Sequence, residues 1–231
     1  MSIKKKRALI SLLVILVILL IDQILKIWVK THMLLGEDSY LHWEHWNLAW
    51  ARLHFVENPG MAFGFSFPGV WGKLFLSVFR LFLVALLIVI LILNSDKYRL
   101  GFTIFLSMII AGALGNLIDS AFYGLIFSES PWYQPGVDPA HFVHWGQGYA
   151  PFLMGKVVDM LYFPLCSCTF PQWLPFIGGK DFLFFRPIFN IADSSIFIGV
   201  LGLFIFKNKF DDNGKNTGNS RAASGSEAHS A

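Results

Sequence analysis

The sequence predicts an all-α membrane protein whose core consists of four transmembrane helices. Two observations lead to this prediction. The 231-residue chain is 55% hydrophobic and only 14% charged, whereas a soluble globular domain carries roughly 25% charged residues. Four apolar stretches lie at about residues 8–28, 71–93, 100–118 and 188–206. Each approaches the roughly 20 helical residues that cross a bilayer core of about 30 Å.

The composition excludes several classes of protein. The formal net charge of +3 is too small to indicate a nucleic-acid partner. Two cysteines exclude a disulfide scaffold and a metal centre with four thiolates. The high apolar content excludes intrinsic disorder for most of the chain and argues against an ordinary water-soluble enzyme.

Basic residues orient the four spans. They precede the first span, fill the link between the second and third, and follow the fourth, at residues 4–7, Lys97, Arg99, Lys207 and Lys209. The positive-inside rule makes these segments cytoplasmic, so both termini are predicted to be cytoplasmic and the loops at about residues 31–70 and 120–187 face outward.

Tryptophans support this orientation, because all of them lie on its outward half. They are Trp28, Trp43, Trp46, Trp50, Trp71, Trp132, Trp145 and Trp173. Amphipathic rings favour the membrane–water interface. The outer loops are therefore expected to lie along the outer membrane surface.

The two ends of the chain differ in character. We expect the first span to be retained, because Asp22 and Gln23 stand where the small-residue cleavage site of a signal peptide would be. Residues 1–206 are predicted to form one membrane-embedded domain. Residues 207–231, rich in Asn, Gly, Ser and Ala, are predicted to form a disordered cytoplasmic tail.

Four aspartates lie within or beside the apolar segments, where a carboxylate is costly and indicates function by default. Asp22 lies roughly 21 Å from the inner end of the first span. Asp119 ends the third span, Asp193 lies near the start of the fourth, and Asp159 lies in a short apolar part of the second outer loop. The predicted orientation brings all four to one level near the outer interface.

Each acid also has a purely structural explanation. These are a salt bridge between Asp22 and Lys26, a solvated loop position for Asp159, a helix end closed by Asn116 and Asp119, and a capping box formed by Asn190 and Asp193. All four explanations would have to hold together if the acids had no common role.

Two carboxylates in a poorly hydrated site titrate as a pair, in which one keeps its proton and the other loses it. The ionised partner can activate a water molecule, and the protonated partner can protonate a carbonyl or a leaving amine. Such a pair hydrolyses a peptide bond without a metal or a nucleophilic side chain. At the outer interface it would receive a substrate tethered in the membrane.

Two other functions are compatible with an apolar chain of this kind. A small four-helix transporter would need acids spread through the depth of the membrane, and here they gather at one face. A non-enzymatic membrane assembly factor would use the aromatic outer loops for docking, and it would not depend on the acids.

Five segments, in this order along residues 8–206, resemble the motifs of lipoprotein signal peptidase, the bacterial type II signal peptidase. They are residues 22–26 (DQILK), 57–64 (ENPGMAFG), 112–119 (GALGNLID), 157–159 (VVD) and 189–194 (FNIADS). No single segment is decisive, but all five occur in the family's order and on a four-span layout.

The resemblance implies an aspartyl protease of the bacterial cytoplasmic membrane with its active site at the outer face. That family removes the signal peptide from a prolipoprotein whose cysteine already carries diacylglycerol, and it cuts just before that cysteine. The implied partners are diacylglyceryl-prolipoproteins and membrane lipid, with no nucleic acid, cofactor or metal. A monomer is expected.

By motif, Asp159 and Asp193 correspond to the catalytic dyad. The residues implied to bind substrate or support the site are Asp22, Lys26, Asn58, Gly60, Gly112, Gly115, Asn116, Asp119, Asn190 and Ala192. The two asparagines Asn116 and Asn190 would hold the dyad or the scissile backbone by hydrogen bonds. The glycines would allow close approach of backbone or ligand.

The sequence departs from the family pattern at a few positions. Ser120 stands where an arginine is common, Met61 replaces a small residue and Met160 an aromatic one. The stretch between Asp119 and Asp159 is longer than the family pattern predicts, and a second extra piece covers about residues 166–180.

Both extra pieces are rich in aromatic residues, Pro and Gly, and both lie on the outward side. We expect them to form an interfacial flap that shelters the site and holds lipid; the alternative is a loop that only packs on the membrane. The pattern of residues 53–57 predicts a short strand, so a small extracytoplasmic β platform is also expected.

Three further features are given structural interpretations. The histidine pairs at positions 42 and 45 and at positions 141 and 144 lack the helical zinc-protease pattern and are expected to be interfacial. Cys166 and Cys168 lie too close in sequence for a favourable disulfide, so free thiols or pairing after oxidation stay open. Arg80, inside the second span, is expected to face the helix bundle or to snorkel outward.

Overall fold

The computed structural model describes residues 2–43, 46–59, 69–94, 98–184 and 186–210. Its helices are α1 Ile3–His32, α2 Gly69–Asn94, α3 Leu100–Ile118, α4 Gly124–Ile126 and α5 Ile191–Phe210, with a π-helical turn, Asp119–Tyr123, between α3 and α4. Its strands are β1 Asp38–Trp43, β2 Trp46–Asn58, β3 Val157–Tyr162, β4 Cys166–Thr169, β5 Asp181–Phe184 and β6 Ile188–Phe189.

Three helices of the described chain are long and apolar enough to cross a membrane. They are α1, α2 and the continuous helical run Leu100–Ile126, which confirms the first three predicted spans as apolar helices. The third is longer than predicted, because the π-helical turn carries the helix past Ile118. Asp119 therefore lies inside a helical run and does not close it, and that structural explanation is wrong.

The fourth predicted span differs at both ends. It begins at Ile191 and not at Ile188, because Ile188 and Phe189 pair with β3 as a strand. Its apolar part, Ile191–Phe206, is shorter than the three long helices. Helix α5 continues to Phe210, into the segment predicted as tail, and residues 211–231 of that tail lie outside the described residues.

A four-stranded sheet in the order β1-β2-β3-β6 forms the predicted platform. Strand β2 covers the predicted strand at residues 53–57 and pairs antiparallel with β3, with Val56 opposite Asp159. Residues opposite each other share a face, and alternate residues of a strand share a face. Asn58 is therefore on the same face of the sheet as Asp159.

The central helix of the bundle is α3, which lies against α1, α2 and α5. Gly112 lets α5 approach closely: a Cβ at this position would collide with the Ala192 carbonyl oxygen and lie 2.7 Å from Cγ1 of Ile196. A carbonyl belonging to a helix backbone cannot rotate away as a side chain can. The close contact between α3 and α5 therefore requires glycine here.

An apolar cluster joins α1, the sheet and the π-helical turn. Its fully or almost fully buried members are Val29, Met33, Leu35, Leu53, Phe55, Tyr123, Phe127, Val158 and Met160. Each large side chain of this kind contributes about 1.5–3 kcal/mol when it leaves water. Met160, one of the departures from the family pattern, is thus a packing residue of this cluster.

The first extra piece is tied to the C-terminal end of α1. Leu35 forms a bridge with Trp132, and the Lys30 ammonium pairs with the Glu57 carboxylate. Ser130 Oγ accepts from Lys30 Nζ and donates to Glu57 Oε1, both at 2.8 Å. Burial opposes the charged form of Glu57, but Lys30 and Ser130 keep the pKa of its carboxyl below the ordinary value.

The second extra piece forms an antiparallel hairpin of β4 and β5. Its tip exposes two large rings, with Trp173 79% and Phe176 95% accessible. Phe176 has a positive φ of 69°, which is uncommon for a residue with a side chain and is held here by a turn. Cys168, on β4, is an exposed free thiol.

Candidate active site

The four aspartates that the sequence singles out come together although they lie on four different elements. Asp22 comes from α1, Asp119 from the π-helical turn, Asp159 from β3 and Asp193 from the first turn of α5. Asp22 and Asp119 are 0% exposed and Asp159 is 6% exposed. The alternative of a solvated loop position for Asp159 is therefore wrong.

Lys26 lies at the centre of the supporting acids. Its Nζ is 2.9 Å from Asp22 Oδ2 and 2.8 Å from Asp119 Oδ2, and it donates to Asn116 Oδ1 at 2.9 Å. A lysine ammonium has three hydrogen atoms, so these three acceptors use all of them. The predicted Asp22–Lys26 pair is confirmed, and Asp119 is a second anionic partner.

Two amide side chains connect the proposed catalytic acids. Asn190 Nδ2 donates to Asp159 Oδ1 at 2.7 Å and lies 3.1 Å from Asn116 Oδ1. Asn116 Nδ2 donates to Asp193 Oδ1 at 2.8 Å. Because Asn116 Oδ1 also accepts from Lys26, these amides join the lysine to both acids in one hydrogen-bonded network.

The start of α5 positions Asp193. Its backbone N–H donates to Asn190 Oδ1 at 2.8 Å, and the Asn190 N–H donates to Asp193 Oδ2 at 3.4 Å. These reciprocal bonds form the predicted capping box. The Ala192 N–H, also in this first turn, donates to Asp22 Oδ1 at 2.9 Å, so the helix start is held by α1 as well.

Asp159 has the electrostatics of an acid that shares a proton. Burial, and then the negative charge of Asp193, raise the pKa of Asp159 to about 7. The charge of Lys26 and hydrogen bonds from Asn190 and Asn58 act in the opposite direction. Near neutral pH this carboxyl therefore exists in both protonation states in comparable amounts.

Gly115 makes room for the acid on α1. A Cβ at this position would lie 2.7 Å from Asp22 Oδ2 and 3.2 Å from the Ala192 Cβ. Gly60 and Met61, also singled out in the sequence, lie outside the described residues. The other predicted site residues all lie in or against this cluster.

Some members of the cluster are not evident from the sequence. Gln23 Nε2 donates to Asp119 Oδ1 at 2.9 Å, and Tyr123 Oη donates to Gln23 Oε1 at 3.1 Å. The Val158 N–H donates to Asp119 Oδ2 at 3.2 Å, so Asp119 helps to hold β3. Gln23 directly follows Asp22 in the first motif. This position is the one sequence signal that indicates a place for Gln23 in the cluster.

The arrangement offers carboxylates and amides and no cluster of metal ligands. Within the described ranges, no group of three or more His, Cys, Asp and Glu side chains is placed to hold a metal ion. The side chains at positions 42 and 45 lie outside the description. Two neighbouring carboxyl groups can act as an acid–base pair toward a water molecule, one accepting a proton and the other donating one.

Comparisons with known proteins agree with one another. Residues 14–208 match the family model described as Signal peptidase (SPase) II. The chain is 46% identical over 193 residues to the lipoprotein signal peptidase of Porphyromonas gingivalis, covering 83% of this chain and 79% of that one. It is 34% identical over 186 residues to the lipoprotein signal peptidase of Amoebophilus asiaticus, covering 78% and 70%.

A solved structure also has the same fold. It is a bacterial membrane enzyme determined by the in meso method at 1.9 Å resolution, with a TM-score of 0.53 and 24% identity. The likeness covers 84% of this chain and 90% of the other.

Replacing Lys26 by methionine should leave Asp22 and Asp119 buried without their cation. We expect Lys26→Met to lower the stability of the purified protein by about 3–5 kcal/mol, the typical cost of removing one partner of a buried ion pair. Thermal unfolding in detergent at fixed pH measures this. The control is Lys156→Met, because Lys156 is 26% exposed where it pairs with Glu57, and it should cost less than about 1 kcal/mol. Equal losses in the two variants would contradict the central role of Lys26.

Proposed function

Because the chain belongs to the signal peptidase II family, we propose that Asp159 and Asp193 together activate the water that cuts its substrate. The protein is an aspartyl endopeptidase of the bacterial inner membrane that removes signal peptides from prolipoproteins. The observation that carries the proposal is the amide link: Asn190 donates to Asp159 and Asn116 donates to Asp193. The two acids thereby share one network.

The proposed reaction needs one ionised and one protonated carboxyl. Asp193 takes a proton from the water molecule while the oxygen of that water attacks the scissile carbonyl carbon. Asp159, whose pKa of about 7 keeps it largely protonated below neutral pH, donates to the carbonyl oxygen. When the tetrahedral intermediate collapses, the peptide C–N bond breaks and the leaving nitrogen takes the proton that Asp193 received. One hydroxyl of the intermediate returns a proton to Asp159 as the new carboxyl group forms, so the dyad again holds a single proton.

The remaining polar residues have supporting roles in this proposal. Lys26 offsets the charges of Asp22 and Asp119, which keeps a buried region stable beside the dyad. Asn58 hydrogen-bonds to Asp159 from β2, and Gly60, the second residue after it, belongs to the same motif. Ala192 ties the α5 start to Asp22 through its backbone N–H.

We propose four spans with both termini in the cytoplasm. The apolar character of α5 supports a fourth crossing, because its 20 residues extend about 30 Å at 1.5 Å per residue. Basic residues at positions 4–7, Arg99, Lys207 and Lys209 support a cytoplasmic inner side. The dyad then lies at the outer face. We also propose that the protein acts as a monomer.

The two extra pieces are proposed to form the aromatic flap at the outer interface. Trp132 and Trp145 are 71% and 69% exposed on the first piece, and Trp173 and Phe176 are more exposed on the second. Rings of this kind favour the headgroup level of a bilayer. A flap that holds lipid fits a substrate whose cysteine carries diacylglycerol and which is cut just before that cysteine.

Removing either acid should abolish cleavage while the protein still accumulates in the membrane. We expect Asp159→Asn and Asp193→Asn each to reduce kcat by a factor on the order of 10⁴ or more, because each removes one half of the acid–base pair. The measurement is processing of a diacylglyceryl-modified precursor by purified protein. Asp138→Asn, which changes an exposed acid of the first extra piece, is the control and should keep full activity. Full processing by either dyad variant would reject the proposal.

Activity should fall as the pH rises through about 7, since Asp159 must keep its proton to act as donor. The Asn58 hydrogen bond favours the charged form of Asp159, so removing it in Asn58→Ala should move this alkaline limb to higher pH. The profile of kcat/KM against pH for a precursor without titratable groups near the cleavage site tests both expectations. A profile that stays flat from pH 5 to 9 would argue against Asp159 as the donor.

The lipid on the substrate should matter for turnover. A precursor whose cysteine lacks diacylglycerol should be cut with a kcat/KM lower by about 100-fold or more, because the lipid supplies binding energy and places the bond at the site. Paired assays of the two precursors in the same lipid vesicles measure the ratio, with Asp159→Asn enzyme as the background. Equal turnover of both precursors would exclude the lipid requirement.

A further inference from the structure

Helix α2 carries a guanidinium in an otherwise apolar stretch. Arg80 lies about 16 Å along the helix from its first residue, and its neighbours in sequence, Phe79 and Leu81, are exposed apolar residues. A charge at this depth is costly and is retained only where it faces the protein interior, water or a partner of opposite charge. The sequence alone left its direction open between the helix bundle and the outer interface.

The structure directs Arg80 into the bundle. Its Nη1 donates to Ser120 Oγ at 3.3 Å, and Ser120 Oγ donates to the Asn116 carbonyl oxygen at 3.0 Å. Ser120 is 2% exposed. Asn116 is the residue whose side chain donates to Asp193, so the guanidinium lies beside the network that holds the dyad.

The carboxylates around the site carry negative charge that a further cation would offset. Asp22 and Asp119 share Lys26, and the proposed dyad adds one negative charge when its two acids hold a single proton. Lys26 is already shared by two carboxylates, so it is not available to a third. The attractions on Arg80 come from Asp193, then Asp159, then Asp119.

The groups that face the dyad come from every element packed around it. They are Asp22 and Lys26 on α1, Asp119 on the π-helical turn and Arg80 on α2. On β2, Glu57 is opposite Val158 and so lies on the other face of the sheet from Asp159. Arg80 is the cation of this set that is not already paired with Asp22 and Asp119.

We propose that Arg80 is the counter-ion of the dyad, a positioning residue that stabilises the ionised Asp193 so that this acid is the base and Asp159 the proton donor. The inference rests on the proposed function of the dyad. A nearby positive charge favours the ionised form of a carboxyl. It thereby separates two acids that would otherwise compete for one proton, and it does so without touching substrate or water.

The test is the pH profile of kcat for Arg80→Gln in lipid vesicles with a lipidated precursor. Losing the positive charge makes both acids hold protons more tightly, so the acid limb, which reports protonation of the base, should move to higher pH by about 1 unit. We expect kcat to fall while KM stays within about twofold, because substrate contacts are unchanged. An acid limb in the wild-type position would overturn the proposal.

Two controls separate charge from packing. Ser120→Ala removes the hydrogen bond to Arg80 but keeps its charge, and should leave the acid limb in place; a shift as large as that of Arg80→Gln would assign Arg80 a structural role. Lys73→Gln removes another cation of α2, whose Nζ donates to the Met154 carbonyl oxygen at 2.5 Å, and should not move the limb. A shift in Lys73→Gln would mean that net charge alone sets the profile.

A rescue variant covers the case in which Arg80→Gln does not fold. Position 120 is in contact with Arg80, so Arg80→Gln combined with Ser120→Arg returns a guanidinium to the same place from the neighbouring helix. If the double variant folds and its acid limb lies at the wild-type pH, the counter-ion role is supported. If the double variant does not fold, or if its acid limb stays shifted, the role is overturned. If Asp159→Asn were active, the dyad itself would be rejected; if only the Arg80 shift is missing, the dyad stands and the counter-ion does not.

Discussion

The ammonium of Lys26 has three hydrogen atoms and three buried oxygen acceptors, on Asp22, Asp119 and Asn116. A buried cation that lacks hydrogen-bond and charge partners has a large desolvation cost. The lysine therefore fixes the distance between α1, α3 and the π-helical turn. The acids of the proposed dyad are placed relative to this fixed point through Asn116 and Asn190.

Asn190 illustrates how one side chain serves the fold and the site together. Its Oδ1 caps α5 by accepting from the Asp193 N–H, while its Nδ2 donates to Asp159. Capping and catalysis are alternative explanations of Asp193 in the sequence; the structure shows the capping bonds, and the proposed catalytic role is compatible with them. A cap whose amide faces a buried acid places the first turn of α5 at a defined distance from β3.

The first extra piece has one of its anchors on the face of the sheet opposite Asp159. Lys30, Glu57 and Ser130 form their own buried network on the face of the sheet opposite Asp159. The exposed rings of Trp132, Trp145, Trp173 and Phe176 make the surface of the two extra pieces strongly aromatic.

Apolar length, local spacing and short motifs were enough to predict the first three apolar helices, the strand before Asn58, the capping box and the four acids of the site. The sequence missed that Asp159 lies on a buried strand and that the helix continues past Asp119 as a π-helical turn, and it left open whether Arg80 faces the helix bundle. Those features depend on pairing with β2, on hydrogen bonds between distant segments and on which side of α2 meets α3. Only the packing of α1, α3, β3 and α5 against one another could decide them, since local sequence carries no information about which distant groups share a buried charge.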